Sequence, residues 1–180
     1  GYSGVGLFSK KRPKKVLTEI GSQACDGEGR ILCAFYDSFV LCNVYFPNGK
    51  ASSERLQYKL DFYDAFLAYI TSLVEQGHKV IFCGDLNTAH REVDLARPSQ
   101  NQTTSGFLPE ERAWIDRCID AGFVDTFRQY NSSAEQYTWW DYKTRARERN
   151  VGWRLDYFFV SNNAVPLITN AWIDSKVMGS

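Results

Sequence analysis

A carboxylate and a carboxamide follow one apolar run of the chain at a spacing that suits metal-assisted hydrolysis. The run Val80-Ile81-Phe82-Cys83 is followed by Gly84-Asp85-Leu86-Asn87. Such a run predicts a strand buried on both faces. Since side-chain direction repeats every second residue in a strand, Asp85 and Asn87 should point the same way at its end. A hard oxygen ligand beside a neutral hydrogen-bonding group can hold a metal, an anionic substrate and a water. Gly-Asp-x-Asn is also an ordinary strand-to-loop turn, so the motif alone leaves both interpretations open.

A second carboxylate, Asp156, stands between Leu155 and Tyr157 in an otherwise apolar segment. An isolated buried charge is costly, so this carboxylate should be paired, bound to metal or functional. A structural salt bridge with Arg154 or another base is the simpler alternative. We expect the polar ends of four segments to converge at one rim of a sheet: Tyr45/Asn48, Asp85/Asn87, the 139–149 loop and Asp156.

Aromatic and basic residues are interleaved from Trp139 to Trp153. Arginine and lysine contact phosphates, and flat rings stack on a base or a sugar, so this pattern favours nucleic-acid binding. We expect Trp140 to lie in the core. For Trp139 and Trp153, which flank the basic loop, core packing and a pocket wall stay equally open. His90, alone in a loop, is expected to be a hydrogen-bonding support and not a metal ligand.

Composition limits the class of protein. The 180 residues are 44% hydrophobic and 15% aromatic, which indicates one globular domain over residues 1–180. Basic and acidic residues are balanced at 21 each, which argues against a purely electrostatic nucleic-acid binder but leaves room for local basic patches. The five cysteines form no Cys-x-x-Cys pair, which favours a reduced intracellular setting without structural zinc. We find no membrane-spanning stretch or signal peptide, and the chain looks cut at both ends.

Residue patterns predict a mixed α/β order. Strands are expected at 2–9, 14–20, 30–36, 39–46, 80–87 and 153–160, and near 168–177, with a two-residue hairpin connection at Asp37-Ser38. Helices are expected from about 53 to 76 and from Pro109 to Gly122. The long polar passage 88–107 has the length of a functional loop. Hairpins followed by alternating strands and helices favour an α/β sandwich with mixed sheets.

Several motifs together closely resemble the exonuclease III family of apurinic/apyrimidinic endonucleases, Mg²⁺-dependent DNA-repair enzymes of the endonuclease/exonuclease/phosphatase superfamily. The motifs occur in family order and cover essentially the whole chain: Gly1-Tyr2-Ser3-Gly4-Val5-Gly6, Tyr45-Phe46-Pro47-Asn48, Gly84-Asp85-Leu86-Asn87, Trp139-Trp140-Asp141-Tyr142 and Asn150-Val151-Gly152-Trp153-Arg154-Leu155-Asp156-Tyr157.

The resemblance implies a four-layer α/β/β/α sandwich of two mixed sheets, here incomplete at both ends. It implies cleavage of the phosphodiester 5′ of an abasic site in duplex DNA, with 3′→5′ exonuclease activity, dependent on Mg²⁺ or alternatively Mn²⁺. The implied partner is double-stranded DNA with abasic sites or 3′ ends, with no membrane. The implied protein is a monomer in the cytoplasm, nucleoid-associated or, in a eukaryote, nuclear.

By the same resemblance, Asp85 would orient or deprotonate the attacking water, and Asn87 would hold that water or a phosphate oxygen, both at or near the metal. Tyr45 would contact the scissile phosphate, and Asp156 would orient a catalytic histidine. The implied substrate-binding residues are Asn48, Trp139, Lys143, Arg145, Arg147, Asn150 and Trp153, of which the two tryptophans would wall the pocket for a flipped-out abasic sugar.

Two departures from the family pattern carry a further expectation. The family's metal-binding glutamate should precede Gly1, and an Asp-His pair should follow Ser180. The chain is therefore expected to be a fragment that alone is nearly inactive. Two other functions stay open: a phosphatase or sphingomyelinase of the same superfamily, against which the Trp-rich basic loop argues, and a non-catalytic module that binds abasic DNA.

Overall fold

The computed structural model describes residues 3–177, which form one six-stranded mixed sheet, a two-stranded second sheet and four α-helices. The strands are β1 (Lys15–Leu17), β2 (Ile31–Phe35), β3 (Val40–Val44), β4 (Val80–Asp85), β5 (Phe123–Asp125), β6 (Trp139–Trp140), β7 (Gly152–Trp153) and β8 (Asp156–Ser161). The helices are α1 (Gln23–Asp26), α2 (Ser53–Glu75), α3 (Pro109–Asp120) and α4 (Thr126–Tyr130). No helix in this described part of the chain is long and apolar enough to cross a bilayer.

The large sheet has the strand order β1-β2-β3-β4-β8-β5. Only the β3–β4 pair is parallel, because α2 carries the chain between those two strands, whereas the other neighbours are antiparallel. The β2–β3 hairpin closes as predicted, with the Tyr36 N–H donating to the Phe39 carbonyl at 2.9 Å. As a result, β3, β4 and β8 lie side by side.

Both long helices pack on one face of this sheet. Phe66 of α2 contacts Phe82 of β4 edge to face, and Tyr63 of α2 stacks on Trp114 of α3 with centroids 4.3 Å apart. The predicted helix 53–76 is confirmed, with the Ser52 hydroxyl accepting from the Arg55 N–H and Gly77 leaving the helix at φ +87°. The predicted helix from Pro109 is confirmed too. The sequence pattern places Trp114, Ile115, Cys118 and Ile119 on its buried face, and of these only Ile119, at 41% exposed, lies outside the core.

The mixed α/β class is confirmed, but the second sheet contains only β6 and β7 within residues 3–177. The prediction that β4 is buried on both faces was wrong in part. Val80 and Phe82, on the helix-covered face, are 0% exposed, while Ile81 and Cys83 on the other face are only half-buried.

Of the three strands predicted near the two ends, only the one at 14–20 forms, and only in part. Residues 3–9 form no strand, and Gly1 and Tyr2 lie outside the described residues. The strand expected at 14–20 is only β1, because the chain turns where the Asp26 carboxylate accepts the N–H groups of Ile20 and Ser22. Residues 168–177 contain a turn and no strand, and residues 178–180 lie outside the described part.

The predicted strand 153–160 divides into β7 and β8, which belong to different sheets. The break lies at Arg154, whose N–H donates to the Asp94 carbonyl at 2.7 Å. The fully buried Arg154 guanidinium is ion-paired with Asp94 and Asp125. At these ion pairs the chain passes from the small sheet to the large one, so that Trp153 belongs to the small sheet and Asp156 to the large one.

Candidate active site

Two carboxylates lie next to each other at the end of the large sheet. Asp85 closes β4 and is the register partner of Asp156, the first residue of β8. Burial and the neighbouring Asp156 charge raise the pKa of Asp85 to about 7, against smaller opposing effects of the Asn87 N–H, Lys59 and Arg30. Partial desolvation also raises the pKa of Asp156.

Asn87 forms the tight turn directly after β4. Its backbone has φ +51°, and its N–H donates to Asp85 Oδ1 at 2.7 Å. Asn87 Nδ2 donates to the Phe46 carbonyl at 2.9 Å, while Asn87 Oδ1 accepts from Asn48 Nδ2 at 3.0 Å. The structure thus brings Asp85, Asn87 and Asn48 into one cluster, which we call the strand-end cluster.

Tyr45 follows β3 at the same edge of the sheet and is half-buried. The guanidinium of Arg30 lies over the Tyr45 ring at 4.9 Å and donates to the Tyr45 carbonyl at 3.0 Å. Glu28 in turn receives Arg30 at 2.7 Å and Arg55 at 2.8 Å. These contacts hold the Tyr45 ring and carbonyl in place. Tyr45 lies beside the strand-end cluster because the next residue, Phe46, donates its N–H to the Asp85 carbonyl at 2.9 Å.

Trp139 and Trp153 form a cross-strand pair in the small sheet, and both are half-buried. We call them the tryptophan pair. The Lys50 ammonium lies 5.9 Å from the ring centroid of Trp139 and 5.7 Å from that of Trp153. The pair borders the carboxylates because Thr138, next to Trp139, accepts the Asp156 N–H at 3.0 Å. Trp140 is buried against Tyr137 and Ala146, which confirms its predicted place in the core.

Asp156 makes no salt bridge with Arg154, whose carboxylate partners are Asp94 and Asp125. The alternative of a salt bridge between Asp156 and Arg154 was therefore wrong, and no salt bridge to another base is seen for Asp156 among the described residues. The expectation that Asp156 carries a buried charge was wrong as well, because the residue is exposed at the sheet edge. His90 supports the loop as predicted. Its ring Nε2 is 2.8 Å from Asp116 Oδ1, and its backbone N–H donates to the Tyr157 hydroxyl. Desolvation lowers the pKa of His90, which favours the neutral ring.

The basic loop, residues 143–150, has some side chains that are exposed and others that are held by hydrogen bonds. Lys143 and Arg145 are exposed. Arg147 lies over the Trp140 ring at 4.6 Å and donates to the carbonyls of Ser175 and Val177. Asn150 is anchored as well, accepting from Trp140 Nε1 at 3.0 Å and donating to the Glu135 carbonyl at 3.1 Å. Lys143, Arg145 and Arg149 are thus the basic residues of this loop that are exposed to solvent, whereas Arg147 is half-buried.

The donor set at the sheet edge fits a hard divalent cation. The Asp156 charge raises the cost of ionising Asp85, a cost that a bound cation would offset, and both side chains carry carboxylate oxygens of the kind that Mg²⁺ prefers. Asn87 Oδ1 has one lone pair left after accepting from Asn48. Within residues 3–177 no group of three or more His, Cys, Asp or Glu side chains forms a ready-made cage.

Sequence reasoning missed a buried polar layer beneath the strand-end cluster. Lys59 and Glu111 are both 0% exposed and ion-paired at 2.6 Å, and Lys59 also donates to the Asn87 carbonyl. The signal was present: Lys59 lies three residues after Leu56 and four before Tyr63, on the apolar stripe of α2. A lysine at such a position needs a buried partner.

Comparisons with known proteins agree with this geometry. The model of the Endonuclease/Exonuclease/phosphatase family matches residues 1–176. The chain is 43% identical to an exodeoxyribonuclease of Bacillus subtilis and 41% identical to DNA repair nuclease APEX1 of Danio rerio, each over 100% of the chain. It spans 71% of the first protein and 58% of the second.

Solved structures give the same result. A 3′-5′ exonuclease from Neisseria meningitidis superposes with a TM-score of 0.85 at 25% identity, covering 91% of this chain and 64% of that one. A second structure of the Neisseria enzyme, a single-residue variant described as a 3′ phosphatase and bound to a product DNA hairpin, superposes with a TM-score of 0.82 at 25% identity, covering 88% and 62%. With the motifs of residues 45–48 and 84–87 at one sheet edge and the family model matched over residues 1–176, the chain belongs to the endonuclease/exonuclease/phosphatase family.

Proposed function

We propose that this chain is part of a DNA-repair nuclease that hydrolyses the phosphodiester on the 5′ side of an abasic site and also removes nucleotides from 3′ ends. The observation that best supports it is the position of the tryptophan pair beside the strand-end cluster, through Thr138 and Asp156. A reactive edge next to an aromatic wall suits a substrate with one phosphate to attack and one exposed sugar to hold. Such an enzyme acts where DNA is, inside the cell.

In this proposal Asp85 orients the attacking water and takes its proton, since it is a desolvated carboxylate at the sheet edge. Asn87 holds the water or a phosphate oxygen, with Asn48 fixing the orientation of its carboxamide. The Tyr45 hydroxyl contacts the scissile phosphate. Asp156 lies beside Asp85 and orients a catalytic histidine.

Asp85 and Asn87 would hold Mg²⁺, for which Mn²⁺ could substitute, with the Asp156 carboxylate next to them. When bound, the cation would stabilise negative charge on the phosphoryl oxygens and lower the pKa of a bound water. The residues of the chain would supply the orientation: Asn48 and the Phe46 carbonyl fix both ends of the Asn87 carboxamide.

Selectivity for damage would come from the tryptophan pair and the basic loop. An abasic nucleotide leaves the duplex at low cost because it has no base to unpair or unstack. Trp139 and Trp153 would pack against its sugar, while Lys143 and Arg145 would contact neighbouring phosphates. Asn150 and Arg147 would support the loop, since both are bonded to Trp140 or to backbone carbonyls.

The test is a cleavage assay on a duplex with a single abasic site, with Mg²⁺ and with EDTA, using the 180-residue chain and a version extended at both ends. We expect Mg²⁺-dependent cleavage 5′ of the abasic site, much faster in the extended version. Fast cleavage by the short chain would contradict the expectation that it is nearly inactive alone. The absence of DNA cleavage in both versions would contradict the proposed function.

The same assay separates the other functions. A 3′-phosphate duplex tests for 3′ phosphatase activity, which the superposition on the Neisseria 3′ phosphatase favours as a second activity of the same site. Turnover of a phospholipid but not of DNA would favour the phosphatase or sphingomyelinase alternative. Tight binding of abasic DNA without cleavage by the extended chain would favour a binding module.

A further inference from the structure

A buried lysine–glutamate pair lies beneath the proposed active site and has no role in the chemistry assigned above. Lys59 of α2 and Glu111 of α3 are both 0% exposed, with Lys59 Nζ 2.6 Å from Glu111 Oε1. Removing two charges from water costs free energy that their attraction often fails to repay, so such a pair is weak evidence for stability alone. Its hydrogen bonds indicate what else it does.

Lys59 holds the turn that contains Asn87. Its ammonium donates to the Asn87 carbonyl at 2.8 Å and to Thr88 Oγ1 at 2.9 Å. Asn87 lies in the left-handed region at φ +51°, which a residue with a side chain adopts only when its surroundings impose it. The Thr88 hydroxyl is also 2.6 Å from the Tyr63 hydroxyl. Lys59 therefore fixes the backbone on which the Asn87 carboxamide is mounted.

Glu111 holds the adjacent turn at residues 105–108. Its carboxylate accepts from Ser105 Oγ at 2.8 Å and from the N–H groups of Gly106 and Leu108 at 2.5 and 3.0 Å. Gly106 passes between the two parts of the site. A Cβ at this position would lie 3.3 Å from the Asn87 carbonyl oxygen and 3.4 Å from the Trp153 ring.

The same turn also borders Asn48. A Cβ on Gly49, the next residue, would lie only 2.7 Å from Ser105 Oγ, so the two turns touch. One buried carboxylate thus sets the backbone against Asn87, Trp153 and the Asn48-Gly49 turn together.

We propose that Lys59 and Glu111 are positioning residues that hold the strand-end cluster and the tryptophan pair at a fixed separation. This inference rests on the proposed function for its catalytic consequence. The geometric part does not, because it concerns where Asn87 and Trp153 lie. The two residues would keep the strand-end cluster at the distance from the tryptophan pair that an abasic nucleotide needs.

The first measurement needs no catalysis. Isotope-labelled full chain is compared by NMR with Lys59→Met, Glu111→Gln and the double variant, observing the Asn87 carboxamide and the Trp153 indole N–H. We expect all three to move both signals. The matched control is Ile70→Ala, also 0% exposed in α2 but outside the network, which should lower the melting temperature and leave both signals in place.

The second measurement is steady-state cleavage of abasic duplex by the version of the chain that cleaves it, at a temperature where each variant is folded. Lys59→Met should lower kcat about 10- to 100-fold, the loss expected from misplaced reacting groups, with KM changed less than about threefold. The double variant should melt above the single variants, because no unpaired charge is left buried, yet it should not regain kcat. Ile70→Ala should keep the wild-type kcat.

Each outcome decides the proposal. Unmoved signals in the double variant, wild-type kcat in the double variant, or an equal loss of kcat in Ile70→Ala would show that the pair only stabilises the fold. If the unsubstituted protein cleaves no DNA, the proposed function fails. The NMR comparison then still decides whether the pair positions the two parts.

Discussion

The strand-end cluster and the tryptophan pair lie side by side but are held in different ways. Asp85, Asn87 and Asn48 are fixed by bonds within two short segments, such as the 2.7 Å bond from the Asn87 N–H to Asp85. Trp139 and Trp153 are half-buried rings on a two-stranded sheet, and the exposed Lys143 and Arg145 belong to the loop that connects its two strands. The difference indicates that short-range hydrogen bonds position the reacting groups, whereas the binding surface consists of two rings on a small sheet and the loop between its strands. Substitutions should separate effects on rate from effects on affinity.

The largest effect is expected at the reactive edge. In the version of the chain that cleaves abasic duplex, Asp85→Asn should lower kcat about 100- to 10,000-fold, because it removes a positioned proton acceptor and a metal ligand. Affinity for the same duplex should change little. A rate assay and fluorescence anisotropy measure the two quantities. An equal loss of rate and affinity would contradict the division between the two regions.

The tryptophan pair should show the reverse. Trp153→Ala should weaken binding of an abasic duplex by about 1–3 kcal/mol, the usual contribution of one stacking aromatic. Trp172→Ala, at a tryptophan that is 72% exposed, is the matched control and should bind normally. Anisotropy with abasic and intact duplex checks this. If intact duplex loses as much affinity as abasic duplex, Trp153 does not read the abasic sugar.

The basic loop should contribute a smaller, salt-dependent part of binding. Replacing Lys143 and Arg145 by glutamine should weaken binding and reduce the slope of log K against log salt concentration by about 0.9 for each phosphate that these side chains neutralise. Lys10→Gln with Lys11→Gln removes the same charge from another exposed turn as a control. Equal slopes in the two double variants would mean that only total charge matters.

The smallest effect concerns His90, which supports the loop between the two regions. Desolvation lowers its pKa in the folded chain, so below the unfolded value near 6.5 the unfolded chain binds more protons. The contribution to stability is complete above that value and is lost as the pH falls toward the folded pKa, by at most about 1.4 kcal/mol per pH unit. Urea unfolding from pH 7.5 to 5 should show this slope, and His90→Gln should reduce it. An unchanged slope in the variant would assign it to other groups.

The sequence alone determined the helices and turns that have strong local patterns, and it located Asp85 and Asn87 at the end of a strand. Apolar residues at steps of three and four marked α2, and Asp37-Ser38 marked the β2–β3 hairpin, because helical periodicity and turn preference act over a few residues. The Gly-Asp-x-Asn motif placed Asp85 and Asn87 at the end of β4.

Only the tertiary structure decided how the parts are joined. Arg154 divides one predicted strand between two sheets, and Arg147 is turned to the carbonyls of Ser175 and Val177 instead of solvent. Lys59 and Glu111 meet across 52 residues beneath Asn87. A buried charge needs a partner, and the partner can come from any part of the chain that folds close to it. Local sequence patterns therefore do not identify that partner.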